Sequence, residues 1–249
     1  MSGHSKWATT KHRKAAVDAK RGKLFARLIR GVEVAAREGG GNIGGNPTLA
    51  DWVAKARDGS VPMDTIERAI KRGTGELEGV HYEHISFEGY ASAGVAIYVE
   101  SLTDNRNRAV SAVRSIFSKH GGNLGDPGCV AWMFERKGLV LISREGGAQE
   151  DELLTLALEA GAEDLRSEGD TWEIVTLPGQ LGEVRAALDA AGVKYESAET
   201  TMIPTSTVEV GRESAGKVVR LVEALEDCDD VQDVYANFDI PDEVLAEID

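Results

Sequence analysis

Long apolar runs are missing from this sequence. None approaches the roughly 20 residues that a helix needs to cross a bilayer, and the amino end is charged where a secretory signal requires an apolar stretch. A soluble, cytoplasmic protein without a membrane partner is the expectation. Cysteine is equally scarce, since Cys129 and Cys228 lie far apart with no Cys-x-x-Cys or Cys/His ligand spacing. That arrangement argues against a disulfide framework and a structural zinc site, and it suits a reducing compartment. Catalytic constellations are also lacking: His4, His12, His81, His84 and His120 stand beside no credible nucleophile and in no triad context. No enzyme activity, cofactor or metal is therefore expected.

Acidic residues are scarce where basic ones are densest. Residues 3–31 carry nine Lys or Arg and a single acid, Asp18, in a chain whose formal net charge is −14. Residues 1–73 hold 15 basic and 7 acidic side chains, whereas residues 74–249 hold 13 and 35. Charge divided this sharply implies that the two parts face different surroundings. A solvated helix face normally mixes both signs, and repulsion within 3–31 goes uncompensated unless an anionic partner supplies the opposite charge.

The periodicity places that charge on a helix. From Ala16 to Glu38, Leu24, Phe25, Leu28, Ile29, Val32, Ala35 and Ala36 gather on one face at about 100° per residue, with Lys20, Lys23, Arg27, Arg30 and Arg37 opposite. Asn46-Pro47 reads as the start of a second helix, with Asn as N-cap and Pro at the first position. A third helix runs from near Pro62 to Gly73, with Lys71 and Arg72 in its last turn. Beyond a glycine-rich linker the period changes to β, with runs at Ile85-Phe87, Val95-Glu100, Val130-Phe134, Leu139-Ser143, Trp172-Thr176 and Tyr195-Ile203.

Residues 137–203 follow a βαββαβ order, as in ferredoxin-like units. The flanks, 94–134 and 206–236, each read strand, helix, strand, as two halves of a second such unit. The expected architecture is multidomain α+β: a basic three-helix domain over 1–78, a discontinuous α+β domain over 79–135 plus 204–249, and a ferredoxin-like domain over 136–203 inserted into it. Simple tandem packing satisfies the same periodicity.

Two glycine motifs invite a phosphate-loop reading. Gly39 to Gly44 has the G-x-G-x-x-G spacing but follows a helix, where the dinucleotide fingerprint must follow a strand. Gly211 to Lys217, GRESAGK, has the Walker spacing, yet Val218 offers no hydroxyl to magnesium. A helix N-terminus with a glycine turn is the plainer reading of it, and a phosphotransferase the enzymatic one. His81-x-x-His84 would point to opposite faces of a strand and lacks a third ligand. Around Thr103 to Arg108, a helix N-terminus with Arg106 and Arg108 could seat a phosphate or could be an ordinary capped start.

The basic stretch is the strongest signal. Lys6, Lys11, Arg13, Lys14, Lys20, Arg21, Lys23, Arg27 and Arg30 would neutralise phosphates, with Trp7 and His12 stacking on bases or riboses and Lys71, Arg72, Arg106 and Arg108 adding charge. No helix-turn-helix, zinc finger or RNP aromatic pattern appears, which favours shape-directed RNA contact over base-specific promoter reading. A protein-interaction scaffold with an incidental basic end is the rival from another class. An anionic membrane ranks behind both, because the apolar helix face is needed for helix packing.

Four segments carry a family resemblance: GHSKWATTKHRKAAVDAKRGKLF, ERAIKRGTG (67–75), FEGYASAGVAIYVESLTDNRNRAV (87–110) and FSKHGGNLGDPGCVAWMFERKG (117–138). They closely resemble the YebC/PmpR family, whose eukaryotic relative is the mitochondrial translational activator of cytochrome c oxidase. The resemblance runs from residue 3 to about residue 240. It implies an N-terminal helical domain and two ferredoxin-like domains, one inserted in the other, and a protein that is not an enzyme. It further implies either a transcriptional regulator bound to promoter DNA or a translation factor on the ribosome and its RNA that relieves stalling at proline-rich stretches. The sequence departs from the family pattern at Thr9-Thr10-Lys11 and at Asp58-Gly59-Ser60.

Overall fold

The computed structural model describes residues 18–146 and 149–245. The N-terminal layer is three helices: α1 (Asp18–Gly39), α2 (Pro47–Asp58) and α3 (Met63–Gly73). Leu28, Val32, Ala35 and Ala36 of α1 meet Leu49, Val53 and Ala56 of α2 and Ile66 and Ala69 of α3 in one buried core. Glycine sets how closely the helices approach. A Cβ on Gly31 would fall 2.5 Å from the ring of Trp52, so α1 and α2 meet across a position where only glycine fits.

Asn46 joins these two helices. Its side-chain oxygen accepts from the Leu49 N–H at 3.1 Å and so caps α2, while its amide donates to the carbonyls of Ala35 at 2.8 Å and Gly40 at 2.9 Å near the end of α1. One buried side chain thus satisfies orphan groups at both helix ends.

Two four-stranded antiparallel sheets follow. The first has the order β3-β1-β2-β9, built from β1 (Glu83–Tyr90), β2 (Ala96–Thr103), β3 (Asn123–Leu124) and β9 (Val231–Ala236). Phe87, Val99 and Val234 lie side by side across its three long strands. That face packs under α4 (Arg106–Lys119) and α7 (Arg212–Glu226), whose Val113, Phe117, Leu221 and Leu225 are fully buried. The second sheet, β5-β6-β4-β7, comprises β4 (Phe134–Ser143), β5 (Ala162–Glu168), β6 (Thr171–Thr176) and β7 (Ser197–Pro204), with α5 (Glu150–Glu159) and α6 (Leu181–Ala190). β4 and β7 pair from Phe134↔Pro204 to Leu141↔Ser197. The chain therefore leaves and re-enters the first α+β unit on adjacent strands, as expected of an insertion.

Three details correct the sequence reading. Val208–Glu209 (β8) pairs in parallel with Phe238–Asp239 (β10) in a separate ribbon, and β1, which lay outside the two expected halves, takes an inner place in the first sheet. The described residues end with a short helix, α8 (Asp242–Leu245). Val130–Phe134, expected as a strand, is a 3-10 turn over Ala131–Met133 leading into β4. The cause is Glu88. Its buried carboxylate accepts the N–H groups of Gly128 at 2.7 Å, Val130 at 2.7 Å and Ala131 at 2.8 Å, taking donors that a ladder would need.

Removing that acceptor strands three donors, two of them in partly buried surroundings. Each unmet buried group costs about 1–3 kcal/mol, and a chain of this size loses roughly 2–4 °C of melting temperature per kcal/mol. Glu88→Ala is therefore expected to lower the calorimetric midpoint clearly, with Glu88→Gln losing less because its amide oxygen still accepts. Equal midpoints for wild type and Glu88→Ala would contradict this account.

Candidate nucleic-acid interface

The polar side of α1, expected to face phosphates, is seated against the first α+β unit. The Lys23 ammonium donates to the Asp227 carbonyl at 2.9 Å, and Arg27 donates to the Glu226 carbonyl at 2.6 Å. Arg30 reaches the carbonyls of Leu102, at 3.1 Å, and Asp229. Glu226 is the last residue of α7, whose terminal carbonyls carry the negative end of the helix dipole. Gln232 returns a bond to the Arg27 carbonyl at 3.0 Å. The ion pair Lys23–Asp229, at 3.7 Å with side chains 52% and 85% exposed, is worth at most about 1 kcal/mol. Hydrogen bonds to charged donors contribute about 1.5–3 kcal/mol each. The seating therefore rests on the charged hydrogen bonds, one from Lys23, one from Arg27 and two from Arg30, more than on that ion pair.

A cleft of about 940 Å³ opens beside this contact. Lys23, Arg27, Arg30, Arg72 and Arg108 line it together with Glu33, Glu78, Asp104, Asp229 and Asp230. Burial lowers the pKa of the Arg30 guanidinium, and neighbouring Arg27 adds to the effect, against Tyr82, Asp230 and Asp229, which raise it.

The other expected contacts are divided. Arg108 is held by Asp230, through its Nε at 3.0 Å and Nη2 at 2.5 Å, and by Asp104 at 2.6 Å. Thr103 also donates to Asp230 at 2.8 Å, and Asn105 caps α4 through the Arg108 N–H at 3.0 Å. Arg106 is exposed, its nearest acid being Glu83 at 3.9 Å. Arg72 is held by the buried Glu33 at 2.9 Å, whereas Lys71, one residue earlier, is exposed. Lys20 and Arg21 fall in the first turn of α1. Lys6, Trp7, Lys11, His12, Arg13 and Lys14 lie outside the described residues.

The glycine motifs resolve as helix punctuation. Gly39 ends α1, and Asn42 turns the following residues into a 3-10 segment. Gly211 precedes α7, and Val218 is buried in the core. His81 and His84 are exposed, and among the described residues no group of three or more His, Cys, Asp or Glu is placed to hold a metal.

Two features went unforeseen. Trp132 is 70% exposed in the turn that Glu88 fixes, with its indole N–H donating to the Cys129 carbonyl at 3.2 Å. Its signal was Trp within GDPGCVAW, a run the alternation disguised as a strand. Lys55 of α2 binds Asp51, Glu199 at 3.4 Å and the Thr200 carbonyl at 3.1 Å. Burial lowers its pKa, yet Glu199 and Asp51 more than offset this and leave it raised. Nothing local marks a partner 145 residues away.

A three-helix layer with basic side chains, set on two ferredoxin-like units of which one interrupts the other, defines the class: a multidomain α+β protein with a polar cleft between its helical and first α+β parts. Comparison with known proteins places it further. The TACO1/YebC protein N-terminal domain matches residues 5–76, and the TACO1/YebC second and third domain matches residues 82–238. The chain belongs to the TACO1/YebC family. It is 58% identical over 249 residues to a protein of Acidothermus cellulolyticus, covering 100% of both chains, and 56% identical over 250 residues to one of Mycolicibacterium smegmatis, covering 100% of this chain and 99% of that one. Both are named probable transcriptional regulatory protein. A crystal structure of a conserved hypothetical protein from Aquifex aeolicus superposes with a TM-score of 0.84 at 50% identity, over 96% of this chain and 99% of that one.

The Arg108–Asp230 pair has a defined pH signature. Hydrogen bonding from Arg108 holds the Asp230 carboxyl below its ordinary range, against the opposing effect of burial. A carboxyl depressed in the folded state contributes stability that is complete above its unfolded pKa of about 3.9 and is lost as pH falls through the folded value. The stability gap between wild type and Asp230→Asn should therefore be full at neutral pH and shrink below about pH 4, as followed by urea denaturation. A gap independent of pH would show that Asp230 acts by packing alone.

Proposed function

We propose that this protein is a non-enzymatic, cytoplasmic regulator of gene expression that binds nucleic acid through its basic N-terminal region. The observation that carries the reading is the charge division: nine cations and one acid over residues 3–31 of a chain with formal net charge −14. The names of its relatives agree with a regulatory role. Phosphate contact falls to Lys6, Lys11, Arg13, Lys14, Lys20 and Arg21, with Trp7 and His12 stacking, and Lys71 and Arg106 exposed nearby in the chain's basic inventory. Lys23, Arg27 and Arg30 contribute field more than direct contact, because each already bonds to backbone carbonyls, whereas Arg72 and Arg108 are engaged by the carboxylates of Glu33 and Asp230. The absence of a base-reading motif favours structured RNA, including ribosomal RNA, over a promoter sequence, and the family resemblance keeps both DNA-binding regulation and relief of ribosome stalling in view.

A scaffold that binds other proteins is the second reading, and the exposed, fixed indole of Trp132 favours it.

Reversing Lys11, Arg13 and Lys14 to Glu changes none of Lys23, Arg27 and Arg30, which seat α1 on the end of α7. The variant should remain folded and lose nucleic-acid affinity at least tenfold, with a shallower salt dependence, by roughly 0.7 to 0.9 per phosphate contact removed. Unchanged affinity would favour the scaffold. Ultraviolet crosslinking in cells then separates ribosomal RNA from promoter DNA as the target.

A further inference from the structure

Helix α4 reads RNRAVSAVRSIFSK and contains four basic residues and no acid. That composition is out of place in residues 74–249, where acids outnumber bases 35 to 13. Arg108 of this helix is accounted for by Asp230. Arg114 and Lys119 are exposed and have no ion pair or hydrogen bond among the described residues. The same holds for Lys217 and Arg220 on α7, the neighbouring helix of the layer. The Arg220 guanidinium lies back over Gly216, where a Cβ would come within 3.4 Å of it.

The topology brings these four cations to the same part of the helical layer. α4 starts where β2 ends at Thr103, and α7 ends just before β9 begins at Val231, so the two helices run antiparallel. The contact between Arg108 and Asp230 marks their shared lower end. At 1.5 Å per residue, Arg114 and Arg220 both stand about 9 Å above that end, with Lys119 and Lys217 somewhat higher. Packed helix axes lie about 8–10 Å apart, so long cationic side chains from both reach one patch. Ser111 and Ser115 share the exposed side of α4 with Arg114 and offer hydroxyl donors of the kind that bind phosphate oxygens.

We infer that the outward face of α4 and α7 is a second phosphate-binding surface, along which a nucleic acid held by the basic N-terminal region continues across the α+β unit. This inference rests on the nucleic-acid reading and deepens it. Charge complementarity selects the occupant. The four cations have no ion pair among the described residues and outnumber the exposed acids of the two helices, Glu213 and Glu223 of α7, so the face keeps a positive excess that an anionic partner would cover. No large apolar side chain is exposed on either helix, so the face has nothing to insert below a lipid headgroup. Continuity supports it too, since α1 is seated on the lower end of α7 through Lys23 and Arg27.

The test uses the full chain carrying Arg114→Gln, Lys119→Gln, Lys217→Gln and Arg220→Gln together, titrated against a labelled structured RNA and a DNA duplex over a range of potassium chloride. An unchanged melting temperature is expected, with affinity reduced about tenfold and the salt slope reduced by roughly 3, from four contacts at about 0.7 to 0.9 each. Ser111→Asp with Ser115→Asp should weaken binding in the same direction without touching a cation. Wild-type affinity and slope in the fourfold variant, alongside lost binding in the Lys11, Arg13, Lys14 variant, would overturn this surface and leave the N-terminal reading standing. Absence of binding by the wild type would remove both. Competition by polyglutamate as effective as that by RNA would overturn the nucleic-acid assignment and give the face to an acidic protein.

Discussion

The helical layer is oriented by two arginines placed against the spent end of a helix. Arg27 and Arg30 of α1 donate into the carbonyls at and beyond the C-terminus of α7, where no intrahelical donor remains. A cation there satisfies orphan acceptors and meets the negative end of the dipole at once. Gln232 closes the contact from the first residues of β9 by donating to Arg27. Because α2 and α3 share one buried core with α1's apolar side, this contact helps set where both of them stand relative to the sheets. The junction with the inserted unit then forms at Lys55, whose partners Glu199 and Thr200 lie on β7.

Buried carboxylates perform a related task inside the first α+β unit. Asp230 draws together β2, α4 and the start of β9 through Thr103 and Arg108, and Glu88 gathers the loop that leads into the inserted unit. Such groups are costly to bury alone and acceptable only when their acceptor capacity is filled. Glu88 has three donors from one loop, which holds that loop in a single shape. Trp132 consequently projects from a fixed base, although an exposed indole would otherwise favour collapse onto the nearest apolar surface.

Local signals made much of the architecture legible. Asn46-Pro47 announced a capped helix because both residues act within one turn, and the change from helical to alternating period located the sheets. What failed were inferences about distant partners. Val130–Phe134 has the alternation of a strand, but the Glu88 carboxylate, some 40 residues upstream, takes its donors. Arg27 and Arg30 have the spacing of a free cationic face, yet the carbonyls they meet are 199 residues away in sequence. Composition reports how much charge a segment holds and is silent on which charges the fold has already engaged. Arg114, Lys119, Lys217 and Arg220 illustrate the converse: they are diluted among acids in the sequence and gathered only once α4 and α7 lie side by side.

The kind of partner that engages a cation also decides what it can still do. Arg27 and Arg30 donate to backbone carbonyls, which are dipoles and carry no formal charge, so seating consumes their hydrogen bonds while most of their charge survives. Arg72 and Arg108 donate to the carboxylates of Glu33 and Asp230 and are neutralised in place. An approaching polyanion would therefore still sense the field of the first pair at long range, even though few of their donors remain for direct contact. Attraction and contact are separated in this way: the seated helix supplies steering, and side chains without internal partners supply the hydrogen bonds. A chain that docks its basic layer through carbonyls keeps the polarity of an otherwise acidic molecule, which docking through acidic side chains would have cancelled.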